Sequence, residues 1–206
     1  VVTINTSVFY PTDMTEVRKK WNLPEDKFLI LFGSQRITDE RKGFRYLAEA
    51  CNIIKKENKE LADKLGIVVL GSHSDKVESL IPFDVYPVNY LSNEHEVMEM
   101  YNAVNLFVTP SLQDNLPNTI VEAMACGTPC VGFKVGGIPE MIDHQENGYV
   151  ANYMDAADFA KGIQWCLDKT NFDTLCKNAH KKALTTYSED RIARRYTDVY
   201  EMLLEQ

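Results

Sequence analysis

Short apolar runs bounded by turn residues alternate with stretches whose apolar positions recur every three or four residues, and this alternation runs nearly the whole length of the chain. The runs FLILFG (28–33), GIVVLG (66–71), DVYPVNY (84–90), NLFVTP (105–110) and PCVGF (129–133), with a short piece at Tyr149 and Val150, read as buried parallel strands. Between them, Phe44, Leu47, Ala48, Cys51 and Ile54 keep helical spacing, as do Val97, Met100, Tyr101 and Val104. Further stripes at Phe159, Ile163, Cys166 and Leu167, then at Ile192, Tyr196, Val199 and Leu203, predict helices near the carboxyl end, the last within 188–206. The first two stripes, at 44–54 and 97–104, read as core packing. The pattern predicts an α/β fold, a doubly wound, Rossmann-like parallel sheet.

Open sheets of this kind bind ligands in the crevice outside the carboxyl ends of their strands, so the residues just after each strand carry the candidate chemistry. After the first strand comes the loop FGSQRITDERKGF. Gly33 lets a ligand approach the backbone, while Arg36 offers a planar fork and Lys42 a mobile point charge, a set suited to a diphosphate. With Arg41 and Arg45 beside them, the same residues also read as a solvated basic loop.

After NLFVTP, Asp114 and Glu122 are separated by seven residues on a stretch that leaves a strand and enters a helix, so both carboxylates can face one crevice. The structural alternatives are specific. Thr119 with Glu122 three residues on fits a capping box, and Asp114 fits a turn former. Gly136 and Gly137 precede a helix with Pro139 in its first turn, which suits either a tight turn or close approach of a phosphate.

Two familiar phosphate motifs are missing. The sequence holds neither G-x-G-x-x-G after a strand nor G-x-x-x-x-G-K-S/T, which disfavours dinucleotide redox chemistry and nucleoside triphosphate hydrolysis. The 206 residues, 45% hydrophobic and 25% charged, are ordinary for one soluble domain. With 22 basic against 30 acidic residues, the net charge of -8 opposes binding to nucleic acid. Five cysteines, an odd count without zinc-type pairing, fit a reducing, cytosolic setting. His73, His95, His144 and His180 are scattered, so no metal centre is expected. No apolar run approaches the roughly 18–20 residues that cross a bilayer.

As a set, Arg36, Lys42-Gly43, Asp114, Glu122 with the small apolar run that follows it, and Gly136-Gly137 resemble the donor-binding half of retaining glycosyltransferases of the GT-B fold, from about Phe28 to the carboxyl end. The resemblance implies transfer of a sugar from a nucleotide-diphosphate sugar with retention of configuration, to a glycan or lipid-linked acceptor, in cell-surface or capsular polysaccharide synthesis. It implies no cofactor and no obligatory metal, because side chains stabilise the leaving phosphate. Arg36 and Lys42 would grip the phosphates and Asp114 the transferred sugar's hydroxyls, making these three the expected catalytic residues. Glu122 would take the ribose hydroxyls. Gly33, the amides of Asn115 and Leu116, and Gly137 would meet the donor, and the base would rest near Val88, Asn89 and Tyr90.

The family more often has Glu where this chain has Asp114, a glycine-rich loop where it has Asn115, Leu116, Pro117 and Asn118, and Gly where it has Asn89. Those departures leave the base and sugar open. Residues 1–25, which begin without Met, look like the linker preceding this domain in the family, so a fragment lacking its amino-terminal acceptor domain is expected. Peripheral contact with the inner membrane face through that half stays open. The alternatives are a nucleotide-sugar epimerase of related architecture and a non-catalytic nucleotide-sugar sensor.

Overall fold

The computed structural model describes residues 2–72, 78–88 and 91–204. Six strands, β1 (Phe28–Arg36), β2 (Leu65–Ser72), β3 (Asp84–Val88), β4 (Leu106–Thr109), β5 (Cys130–Phe133) and β6 (Gly148–Ala151), form one sheet in the order β3-β2-β1-β4-β5-β6. Every pairing is parallel, which is the doubly wound order with its reversal between β1 and β4. All six predicted runs are strands. β3 lies at the edge and is only half-buried, and Pro87 sits there because an edge strand tolerates a missing amide.

Side-chain alternation splits the core in two. Ile30 and Phe32 of β1 face one layer, and Leu29 and Leu31 the other. The first layer is covered by α2 (Phe44–Glu57) and α7 (Ala156–Leu167), whose buried Leu47, Cys51, Ile54, Phe159, Ile163 and Cys166 are the stripes expected from spacing. The second is covered by α1 (Met14–Lys20), α4 (Glu94–Ala103) and α5 (Asn118–Ala125). Short α3 (Lys59–Ala62) and α6 (Ile138–Met141) complete two of the connections. Local caps fix where the longer helices start: Asn93 accepts from the Glu96 amide at α4, and Asp155 from the Asp158 amide at α7.

Within residues 1–25, read as a lead-in, Ile4, Phe9, Val17 and Leu23 are buried in the second core layer, and Ile4 pairs with the backbone at Tyr187 and Ser188. Arg18 of α1 is buried at 3% exposure, with its guanidinium donating to the carbonyls of Ala103, Pro24, Glu25 and Lys27 and to Asn105 Oδ1. At the other end, α8 (Lys169–Lys182) packs on α5, whereas α9 (Glu189–Leu204) lies largely outside the core. The carboxyl-terminal helix expected from spacing is present, with Ile192 buried and Tyr196 50% exposed. No helix among the described residues is long and apolar enough to cross a membrane.

Candidate functional site

At the carboxyl ends of β1 and β4, on the line where the strand order reverses, an open cleft of about 1300 Å³ is lined by Gly33, Arg36, Lys42, Asp114 and Glu122, all five expected from the sequence. Arg36, Arg41 and Lys42 stand on the β1 side, with Asp39 among them, and Asp114 and Glu122 on the β4 side. Ser34, Gln35, Ser72, Thr109 and Ser111 add polar groups between them, and Leu31, Leu91 and Val97 an apolar wall.

β1 reaches this cleft through an irregularity. Its register with β2 runs regularly to Gly33 opposite Leu70, then slips so that Arg36 stands opposite Ser72. The slipped residues are pinned, because Ser72 Oγ donates to the Gln35 carbonyl at 2.6 Å and Ser34 Oγ to the Arg36 carbonyl at 2.8 Å. Such a bulge re-aims the residue that follows it, here Arg36.

Lys42 is placed by a different device. Asp39 caps a tight 3-10 turn over Glu40–Lys42, accepting from the Arg41 amide at 3.0 Å, and its carboxylate also binds the Arg41 guanidinium. That guanidinium is thereby committed to Asp39, while its carbonyl accepts the Leu112 amide at 2.7 Å and ties the turn to the loop after β4. Gly43 closes the turn at φ +67°, and a side chain there would run into the Pro110 carbonyl. Lys42 Nζ then lies 3.4 Å from Asp114 Oδ2, so the two walls of the cleft meet in an ion pair.

Glu122 does not do what the capping box proposed. Pro117 holds the cap position of α5 and has no side-chain acceptor, so α5 begins at Asn118 without a side-chain cap bond and Thr119 lies inside it. Glu122 instead sits in the second turn, where its Oε2 accepts a hydrogen bond from the Tyr101 hydroxyl at 2.9 Å. Burial holds the Glu122 carboxyl above the ordinary carboxylate range, with the Tyr101 bond opposing and Glu94 adding to the rise.

Asn115, Leu116 and Gly137 are not among the residues that line the cleft. They form its support. Gly137 N–H donates to the Asn115 carbonyl at 2.6 Å and packs against Leu116, while Gly136, at φ +53°, lets the backbone pass close under the Asp114 carbonyl. The positive φ of Gly136 is what the tight-turn use calls for, and the pair also packs closely beneath the Asp114 loop, a role neither use anticipated. Asn89 and Tyr90 lie outside the described residues. Tyr101, read from spacing as core, is both buried and bonded to Glu122, a partnership between residues 21 apart that no local pattern signals. Among the described residues, no cluster of His, Cys, Asp or Glu is arranged to hold a metal ion.

Across the cleft, Arg36 and Lys42, groups suited to phosphate oxygens, face Asp114 and Glu122, groups suited to hydroxyl donors. The family model "Glycosyl transferases group 1" matches residues 27–169, and the chain belongs to that family. It is 29% identical over 209 residues to the N,N'-diacetylbacillosaminyl-diphospho-undecaprenol alpha-1,3-N-acetylgalactosaminyltransferase of Campylobacter jejuni, covering 98% of this chain and 53% of the relative. Its fold superposes on sucrose-phosphate synthase from Thermosynechococcus elongatus with a TM-score of 0.80 at 25% identity, covering 99% of this chain and 52% of that one. Anabaena HepE, solved with UDP and glucose, superposes with a TM-score of 0.77 at 19% identity, over 97% of this chain and 56% of HepE. The chain therefore spans about half the length of the relatives it matches, and its fold is that of the carboxyl-terminal domain of a GT-B glycosyltransferase.

Proposed function

We propose that this chain is the donor-binding domain of a retaining glycosyltransferase that moves a sugar from a nucleotide-diphosphate sugar to a glycan or lipid-linked acceptor. The carrying observation is the meeting of Arg36 and Lys42 with Asp114 and Glu122 across one cleft at the strand-order reversal. Transfer breaks the bond between the anomeric carbon and a phosphate oxygen, and negative charge grows on the departing diphosphate. Arg36 and Lys42 stand where that charge would develop, so they stabilise the transition state more than the ground state, without need of a metal ion. Glu122 receives the ribose diol, and Asp114, released from Lys42 by the incoming phosphate, turns to the sugar hydroxyls.

HepE was solved with UDP and glucose, and the Campylobacter relative is named for an acceptor on diphospho-undecaprenol; both support this reading of donor and acceptor class. The acceptor would be bound by a second domain of the complete protein, working in the cytoplasm or at the inner membrane face in surface-glycan synthesis.

Calorimetric titration with UDP, GDP and ADP, repeated on Lys42→Ala, tests the donor site. One of the three is expected to bind, with affinity reduced about tenfold or more in the variant, since a hydrogen bond to a charged group contributes about 1.5–3 kcal/mol. Equal affinity in wild type and variant would remove Lys42 from the phosphate site.

A further inference from the structure

The Tyr101 hydroxyl is a fixed point in the molecule. Its side chain belongs to a residue only 4% exposed, with its ring edge-on to Phe107 at 5.5 Å and tilted against Phe9 at 6.5 Å. The Tyr101 carbonyl is held in turn by Thr128 Oγ1 at 2.7 Å. From this anchored ring the hydroxyl reaches across from α4 to Glu122 Oε2 at 2.9 Å, and it is the one hydrogen-bond donor to that side chain among the described residues.

We propose that Tyr101 is a positioning residue, which holds Glu122 as an oriented acceptor for a vicinal diol of the bound nucleotide. The proposal rests on the nucleotide reading of the cleft. A carboxylate offers about four acceptor directions, so one phenol bond on Oε2 fixes the group and leaves Oε1 and part of Oε2 open to two neighbouring hydroxyls.

The surroundings make that bond matter. Burial favours a protonated Glu122, which would offer the ligand a donor in place of an acceptor; the Tyr101 bond opposes this and Glu94, also on α4, reinforces it. Burial, then the Glu122 charge, push the Tyr101 phenol well above its ordinary range, so the proton stays on the tyrosine and the bond runs one way. The nearby thiols Cys126 on α5 and Cys130 on β5 are also pushed up by burial and stay neutral. From α8, His180 bonds the Ala125 carbonyl at the far end of α5. Arg36, Asp39, Arg41, Lys42 and Asp114 share the cleft with Glu122.

The test is the pH dependence of UDP, GDP and ADP affinity in the full-length protein, in wild type, Tyr101→Phe, Glu122→Gln and the double variant. Tyr101→Phe keeps the ring and its packing, and thermal melting checks that the fold is retained. Wild-type affinity is expected to fall as the solution is acidified through the Glu122 titration. In Tyr101→Phe that fall should move to higher pH, leaving the variant weaker than wild type through the shifted window and closing on it above that window. On the Glu122→Gln background, Tyr101→Phe should produce no such shift. A Tyr101→Phe variant with an unmoved pH profile, whether of equal affinity or weaker by one constant factor, overturns the positioning role alone. Wild type that binds none of the three nucleotides overturns the nucleotide reading and this proposal with it.

Discussion

Arg18→Ala is expected to lower the stability of the domain by about 3–5 kcal/mol, the scale of a large buried truncation that also leaves buried acceptors without donors. The guanidinium donates to five acceptors drawn from three places: the end of α4, the segment 24–27 leading into β1, and Asn105 just before β4. Asn105 Oδ1 also accepts the Leu29 amide at 2.8 Å, so truncation at Arg18 loosens the start of two adjacent strands. A cavity and buried carbonyls without donors are left behind. Arg18→Met should recover part of the loss by filling the space without the charge. The comparison is read from urea melts of the three proteins. A loss below about 1 kcal/mol for the alanine would mean that the cost of burying the guanidinium cancels its hydrogen bonds.

The second large effect is at Glu122. Its alanine variant should bind the nucleoside diphosphate about a hundredfold more weakly, because two hydrogen bonds to a charged acceptor disappear together. Unchanged affinity in a folded variant would sink the ribose assignment. The glutamine variant separates binding from stability. Burial raises the Glu122 carboxyl in the folded chain, so the native state takes up a proton more readily than the unfolded state. The stability linked to that proton is fully present below the unfolded carboxylate range and is lost as pH rises through the raised native value. Glu122→Gln has no proton to lose. It is therefore expected to gain stability relative to wild type as pH rises through that window, and to keep a constant difference above it. Chemical melts across the window check this, and a difference independent of pH would contradict it. Weaker binding with a more stable fold is the signature of a residue kept for its ligand.

The strands were legible because each is short, apolar and bounded by turn residues, and a parallel sheet buries such runs on both faces. The five charged or glycine positions that line the cleft were legible because they follow those strands, where the topology opens a crevice. What escaped the reading depends on distance or on a shift of one residue. Arg18 looks like a surface residue in a basic stretch, and only its meeting with Ala103 and Asn105, some 85 residues away, makes it part of the core. Pro117 moved the start of α5 off the register that the capping box required. The α9 stripe is amphipathic in sequence, yet Tyr196 stays half exposed among the described residues. Asn115, Leu116 and Gly137 carry the loop of Asp114 from beneath, a role that depends on which loops dock together.

The ion pair with Asp114 means that Lys42 already carries its own counter-ion, supplied by the protein. On the proposed reading, a diphosphate arriving at Lys42 would trade one anion for another in place of neutralising a bare charge. Affinity contributed by this lysine should accordingly depend less on ionic strength than that contributed by Arg36, and the trade sets free a carboxylate at the moment the sugar arrives beside it.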